Sequence, residues 1–231
     1  MEAARKTRSK VSTPTSVSAK RQERAIVTRQ QLVDAARRIF ARDGFELARV
    51  EDIAAAAGKT RGAFYANFRD KEDVFFAIFE EDLARDREQF SLRLSNASSP
   101  VERVAALARH LIEVIRNRPR MLLALEFKAY AIRHPRKQKR LADLHAAMCA
   151  RCVEANLDKL LPEFANAGPS EKRAQTAQVG AIIDGLALNY MFNCDSVTEE
   201  QMLRQIRAGL RVALGLEHDP PTAEASALTR G

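Results

Sequence analysis

Apolar residues recur every three or four positions along most of this chain, and nowhere do they alternate with the period of two that a half-buried strand requires. The pattern predicts an all-α fold. Thr28 with Gln31 reads as a capping box opening a first helix, whose buried stripe is Leu32, Ala35, Ala36, Ile39 and Phe40. A short alanine-rich helix begins at Val50, with Val50, Ile53, Ala54 and Ala57 inward, and Gly58 stops it because glycine accepts the positive φ of a tight inter-helix turn. Thr60 reads as the N-cap of another short helix, anchored by Phe64 and Phe68 four residues apart. Asp70 caps a longer helix that runs through Phe75, Phe76, Phe79 and Leu83 toward Leu94.

The remaining helices are longer. Ser99-Pro100-Val101-Glu102 combines an N-cap, a first-turn proline and a glutamate three residues after the serine, ahead of the stripe Val104, Leu107, Ala108, Leu111 and Ile115. Pro119 and Pro135 open two more helices, and His134 is biased away from helix by the proline after it. A loop over Leu161 to Ser170 precedes two final helices, from about Glu171 to Asn193 and from Thr198 to about Leu214, the second opened by a capping box of Thr198 and Gln201. These elements divide the chain into a flexible basic arm (1–24), a helix-turn-helix domain (25–72), a larger C-terminal domain (73–216) and a flexible tail (217–231).

The segment VEDIAAAAGKTRGAFYANFRDK, residues 50–71, has the form of a helix-turn-helix of the DNA-reading kind. With the flanking Ile39-Phe40, Gly44-Phe45 and Lys71-Glu72, the run from Thr28 to about Glu81 resembles the DNA-binding domain of TetR-type (tetracycline-repressor-like) transcriptional regulators. The matching residues within it are Asp52-Ile53-Ala54, Ala57-Gly58, Gly62-Ala63-Phe64-Tyr65 and Phe68. One departure stands out: Arg49 occupies the place where that family commonly has a serine or threonine cap. Outward residues of the motif are the candidates for DNA contact. Arg61 and Tyr65 are placed for base edges, Gly62 for close backbone approach and Ala63 for a thymine methyl, while Arg49, Thr60, Asn67 and Lys71 are placed for phosphates. The N-terminus of the helix that follows is a further expected anion site.

The resemblance implies a homodimer that binds a near-palindromic operator in double-stranded DNA and answers to a small-molecule effector. It implies a cavity among the helices between about Leu83 and Asn193. Met121, Leu125, Phe127, Tyr130, His145, Met148 and Cys149 are candidates to line it, and their character suggests an apolar or aromatic ligand; each would also serve as simple core. The last two helices, through Val179, Ile182, Ile183, Leu186 and Tyr190 on one and Met202, Leu203, Ile206 and Leu210 on the other, are the implied dimer interface. The same stripes could instead close the subunit's own core.

Charge and chemistry alter this picture little. The net charge is +8, and within residues 1–30 eight basic side chains against Glu2 and Glu23 leave +6. The positive charge therefore sits beside the helix-turn-helix, as a polyanionic partner would require. No apolar run approaches the ~20 residues of a membrane span, and the basic start lacks the apolar stretch of a secretory signal, so a cytoplasmic protein is expected. Three cysteines argue against a disulfide framework. His145, Cys149 and Cys152 share a helical face, leaving open a metal- or thiol-responsive regulator, although mid-helix cysteines also fill apolar space well. No phosphate-cradling glycine loop, nucleophile elbow or zinc-protease helix motif is present, so neither catalysis nor a cofactor is expected. An effector-independent architectural or cell-division factor on the same fold is the remaining rival.

Overall fold

The computed structural model describes residues 16–160, 168–195 and 197–213, with side chains over 19–151, 168–195 and 197–213. Every regular element among these residues is a helix: α1 (Ser16–Asp43), α2 (Val50–Ala56), α3 (Arg61–Tyr65), α4 (Lys71–Leu94), α5 (Pro100–Arg116), α6 (Arg118–Arg133), α7 (Pro135–Leu160), α8 (Pro169–Phe192) and α9 (Glu199–Ala213). The caps follow the local sequence. Asp70 accepts from the Asp73 amide at 2.8 Å, Ser99 from Glu102 at 3.2 Å, and Thr198 and Gln201 bond one another reciprocally at 2.8 and 3.2 Å.

Helix α1 departs from expectation. It begins at Ser16, ahead of Thr28, so residues 16–24 of the expected flexible arm are helical. No proline or glycine separates Ser16 from Thr28, and the Lys, Arg, Gln, Glu and Ala between them are strong helix formers that need no buried stripe to continue a helix already nucleated downstream. Residues 1–15 and the tail 217–231 lie outside the described residues.

Two cores organise the subunit. The first gathers Leu32, Ala36 and Phe40 of α1, Ile53 of α2, Phe64 of α3 and Phe75 and Ile78 of α4, but it does not close within the helix-turn-helix domain. Leu123, Phe127 and Tyr130 of α6 and Leu141 of α7 belong to the same core. At its centre is Phe45, a residue of the α1–α2 loop with no exposed surface. Its ring lies 5.1 Å from Phe40, 5.8 Å from Phe75, 5.3 Å from Phe127 and 5.0 Å from Tyr130, mostly edge to face, the arrangement favoured by aromatic quadrupoles. The loop backbone is held from both sides. Gly44 adopts φ +78°, the Phe45 amide donates to Glu126 Oε2 of α6 at 2.7 Å, and Lys71 Nζ donates to the carbonyls of Phe45 and Glu46 at 2.9 and 2.6 Å.

Beside it lies a buried polar cluster. Glu72, 3% exposed, accepts from Tyr130 Oη and Lys137 Nζ, both at 2.6 Å. Burial by itself would raise this carboxyl, but the two hydrogen bonds outweigh burial and hold it at about 2.

The second core joins α5, α8 and α9 through Val104, Leu111, Ile115, Met202, Ile206 and Leu210. Here the expected dimer surface takes a different place. Met202, Ile206 and Leu210 are no more than 1% exposed, and Val179, Ile182, Ile183, Leu186, Tyr190 and Leu203 pack partly buried against the same core. These stripes close the subunit itself, because each helix must bury its apolar side against α5 before any second copy arrives. Gly209 permits this closure: a Cβ there would clash with Ile182 Cδ1. Leu188, Phe192 and Val212 remain outward, at 57, 90 and 62% exposure.

The Glu72 cluster has a measurable signature. Its folded pKa lies below the ordinary value near 4.5, so its stabilisation is complete above that pH and is lost as pH falls toward 2. Thermal melts of Glu72→Gln should lie well below wild type at pH 7, with the gap closing between about pH 4.5 and 2; a gap independent of pH would contradict the assignment.

Candidate nucleic-acid interface and interior cavity

The turn between α2 and α3 is built by backbone bonds. Gly58 at φ +65° lets the Lys59 amide reach Ala54 O at 2.8 Å while its own amide reaches Ala55 O at 2.9 Å, so the last carbonyls of α2 are satisfied. Thr60 caps α3, its Oγ1 accepting from the Ala63 amide at 3.1 Å, and Phe64 pins the helix to the core with no exposed surface. What remains outward is a compact polar and aromatic face. Arg61 and Tyr65 are exposed, with the guanidinium 5.5 Å from the tyrosine ring and 3.0 Å from Glu51 Oε1. Gly62 is exposed, and a Cβ there would meet only Thr60 Oγ1 at an ordinary 3.7 Å. The fold does not require glycine at this position. Ala63 is half-buried beside it. Arg49 is exposed at the N-cap of α2 and makes no cap bond with its side chain.

Two of the expected phosphate-contacting residues are otherwise engaged. Asn67 Nδ2 donates to Ala63 O at 2.8 Å, closing the end of α3. Lys71 turns inward to the α1–α2 loop carbonyls and over the Phe45 ring at 5.0 Å, and burial lowers its pKa. A lysine at a helix start is drawn inside here because the loop presents clustered carbonyls that need a donor. The N-terminus of α4 is likewise occupied, by the Asp70 cap and the acidic Glu72 and Asp73.

Behind the reading head lies a cavity of about 270 Å³ between α4, α5, α6, α7 and α8. Its apolar wall includes Phe75, Phe79, Phe90, Leu111 and Ile183. Of the residues expected to line it, Met121, His145 and Cys149 do. Phe127 and Tyr130 instead pack in the first core, 2 and 5% exposed, because Phe45 occupies the space beside them. Leu125, only partly buried, and the buried Met148 also lie off its lining. His145 stacks on Phe79 with centroids 4.7 Å apart, and burial, reinforced by the Lys128 charge, pushes its pKa down to about 4, so the ring is neutral at neutral pH. Its Nδ1 lies 3.9 Å from Cys149 Sγ, and no group of three or more metal-ligating side chains occurs among the described residues. The Cys152 side chain lies outside them.

Pattern reading missed the polar residues of this cavity: Asp82, Asp86, Arg120, Lys128, Asp184 and His110. Asp82, 3% exposed, is paired with Arg37 of α1 at 2.8 Å, Arg85 at 3.1 Å and Arg120 of α6 at 3.6 Å. Arg120 also grips Asp86 at 2.8 and 2.5 Å. A ligand-facing residue thus shares a buried carboxylate with the first helix of the reading head.

Comparison with known proteins agrees with this arrangement. Residues 32–78 match the family described as bacterial regulatory proteins, tetR family, and residues 100–215 match the BetI-type transcriptional repressor C-terminal domain. The chain is 42% identical over 69 residues to the HTH-type transcriptional repressor AcnR of Corynebacterium efficiens, a match covering 30% of this chain and 37% of that protein. It is 32% identical over 111 residues to the regulator AcrR of Shigella flexneri, covering 47% and 52% of the two chains. The matched segments thus fall well short of those relatives' full lengths. In fold, it resembles the fatty acid degradation regulator FadR of Bacillus halodurans (TM-score 0.53, 20% identity, 83% of this chain and 97% of that one) and GusR of Salmonella enterica (TM-score 0.57, 20% identity, 81% and 95%). The chain belongs to the TetR family of bacterial regulatory proteins. It is a DNA-binding transcriptional repressor with a BetI-type C-terminal domain, not an enzyme. Among the described residues no helix is long and apolar enough to cross a membrane.

The two glycines of the motif should respond oppositely to alanine. Gly58→Ala, forced into a left-handed conformation, should lose about 1–2 kcal/mol in urea unfolding. Gly62→Ala, in ordinary helix with open space around it, should gain up to about 1 kcal/mol.

Proposed function

We propose that this repressor acts in the cytoplasm as a homodimer on a near-palindromic operator, and that a small apolar or aromatic ligand in the cavity releases it. The observation that carries this reading is the single helix α4. Its first half supplies Val74, Phe75 and Ile78 to the core of the reading head, and its second half supplies Leu83, Asp86 and Phe90 to the cavity wall. A ligand that shifts this helix moves the reading head with it. The change in spacing matters because two recognition helices must enter major grooves one helical turn, or about 34–36 Å, apart. Differential affinity of ~1–3 kcal/mol for the two states would weaken DNA binding roughly 5–150-fold.

On DNA, Arg61 and Tyr65 read base edges, Gly62 admits close approach, Ala63 meets a thymine methyl, and Arg49 and Thr60 hold phosphates. Lys71 and Asn67 keep those residues in place. The second copy docks on the outward face of α8 and α9, where Leu188, Phe192 and Val212 are exposed beside the exposed small residues Ala181, Gly185 and Ala208. Small residues let helices approach closely, and the large ones supply apolar area whose exposure in a lone subunit would be costly. The cavity favours the ligand-responsive reading over an effector-independent architectural factor, which would have no use for an interior space of this size.

Fluorescence anisotropy with the intergenic DNA beside the gene tests the DNA reading. Arg61→Ala with Tyr65→Ala should weaken specific binding by at least tenfold, each lost base contact costing about 1–3 kcal/mol, while affinity for scrambled DNA stays put. Equal wild-type affinity for specific and scrambled DNA would sink it for that promoter. For the assembly, Leu188→Asp with Phe192→Asp should sediment as a folded monomer with a native helical circular-dichroism spectrum; a persistent dimer would place the interface elsewhere.

A further inference from the structure

The fixed charges around the cavity are balanced, with Asp82, Asp86 and Asp184 against Arg87, Arg120 and Lys128. The interior ones are already committed. Asp86 grips Arg120 through two hydrogen bonds, Asp82 is held by Arg37, and Asp184 is bonded to Lys128. A charged ligand would have to break one of these pairs or leave its own charge buried, and either is costly where water is excluded.

One polar atom on the lining stands apart. His110 of α5 is 5% exposed, and its Nδ1 is buried without a hydrogen-bond partner. Its Nε2 faces Asp86 Oδ1 at 3.7 Å, and its ring lies beside Phe90 with centroids 5.8 Å apart. With the carboxylate on that side, the ring proton belongs on Nε2, which leaves the Nδ1 lone pair as an acceptor. Burial outweighs the attraction of Asp86 and keeps the imidazole below the usual histidine pKa, hence neutral. Buried acceptors in native proteins are nearly always satisfied, so this one calls for a donor. The wall around it is rich in rings, with Phe75, Phe79 and Phe90 on the lining.

We propose that the cavity selects a neutral, ring-bearing small molecule carrying a hydroxyl, whose proton is donated to His110 Nδ1. This rests on the cavity being the ligand site. Apolar rings supply most of the affinity, and His110 supplies the selection, because a site built around a polar contact discriminates strongly against an analogue that cannot make it. The matched ion pairs disfavour both carboxylates and ammonium compounds.

Calorimetric titration of the full chain with naphthol, its methyl ether methoxynaphthalene, and naphthoate tests this. Naphthol should bind about tenfold more tightly than the ether, the worth of one good hydrogen bond, and naphthoate more weakly than either. In His110→Phe, which keeps a ring but removes the acceptor, the preference of naphthol over the ether should fall to near one. On the wild-type protein, nitrogen NMR of the four histidines should show one unprotonated ring nitrogen shifting with naphthol and not with the ether, whatever the variant's stability. Ala124→Trp, which fills the lining, should abolish binding of both. Equal affinity for naphthol and ether, both lost in Ala124→Trp, would overturn the role of His110 while leaving the cavity as the ligand site. Naphthoate binding tightest would overturn the neutral-ligand assignment. No binding, or binding indifferent to Ala124→Trp, would overturn this proposal together with the cavity reading beneath it.

Discussion

Phe45 is a loop residue with no exposed surface, and the position of the reading head depends on it. A phenylalanine buried to this degree contributes roughly 1.5–3 kcal/mol by area alone. Its larger effect is geometric. The ring touches α1, α4 and α6 together, so the α1–α2 loop cannot move without opening the core between the DNA-reading helices and the rest of the subunit. Glu126 holds the Phe45 amide from α6, and Lys71 holds the loop carbonyls from α4. Gly44 is needed because its φ is positive and because a Cβ there would press on the Glu126 carboxylate at 3.1 Å. A lysine that looked free to touch phosphate is thereby consumed in positioning.

The second connection is electrostatic. Asp82 is almost fully buried, and such a carboxylate is tolerable only with partners. It draws Arg37 from α1 and Arg120 from α6 to one point on α4. Arg120 and Asp86 face the cavity, so the groups nearest a ligand and the groups bracing α1 are members of one network. Buried networks of this kind have few alternative arrangements, which suits them to transmit a small displacement as a change of state rather than to absorb it. The rigid aromatic joint at Phe45 and the ionic joint at Asp82 lie on different sides of α4. Together they make that helix the shared part of both functions.

The surface left over is as informative as the core. Helices α8 and α9 spend their regular apolar stripes on α5 and on each other, aided by Gly209, and still expose Leu188, Phe192 and Val212. A subunit that has filled its own core and still presents large apolar side chains beside small ones has material for a second interface, separate from the one read in the stripe.

The sequence by itself determined the helices, their caps and the reading motif, because these are local. Gly58 and Thr60 act within a few residues, the Thr198–Gln201 box closes on itself, and Phe64 and Phe68 declare their inward side by spacing alone. The family was legible for the same reason: the residues between Ile39 and Glu72 are a contiguous signature. The start of α1 was not, since a helix of charged formers without a stripe leaves no periodic mark. Only the tertiary structure decided which apolar side chains are core, cavity or surface. Phe127 and Met121 sit six residues apart on one helix, yet one stacks on Phe75 at 3.7 Å and the other lines the cavity. The polar cavity lining was invisible for a further reason. Periodicity registers apolar residues, whereas Asp82, Asp86, Arg120 and His110 are buried because partners far along the chain make their burial affordable, and such pairings exist only once the helices have packed.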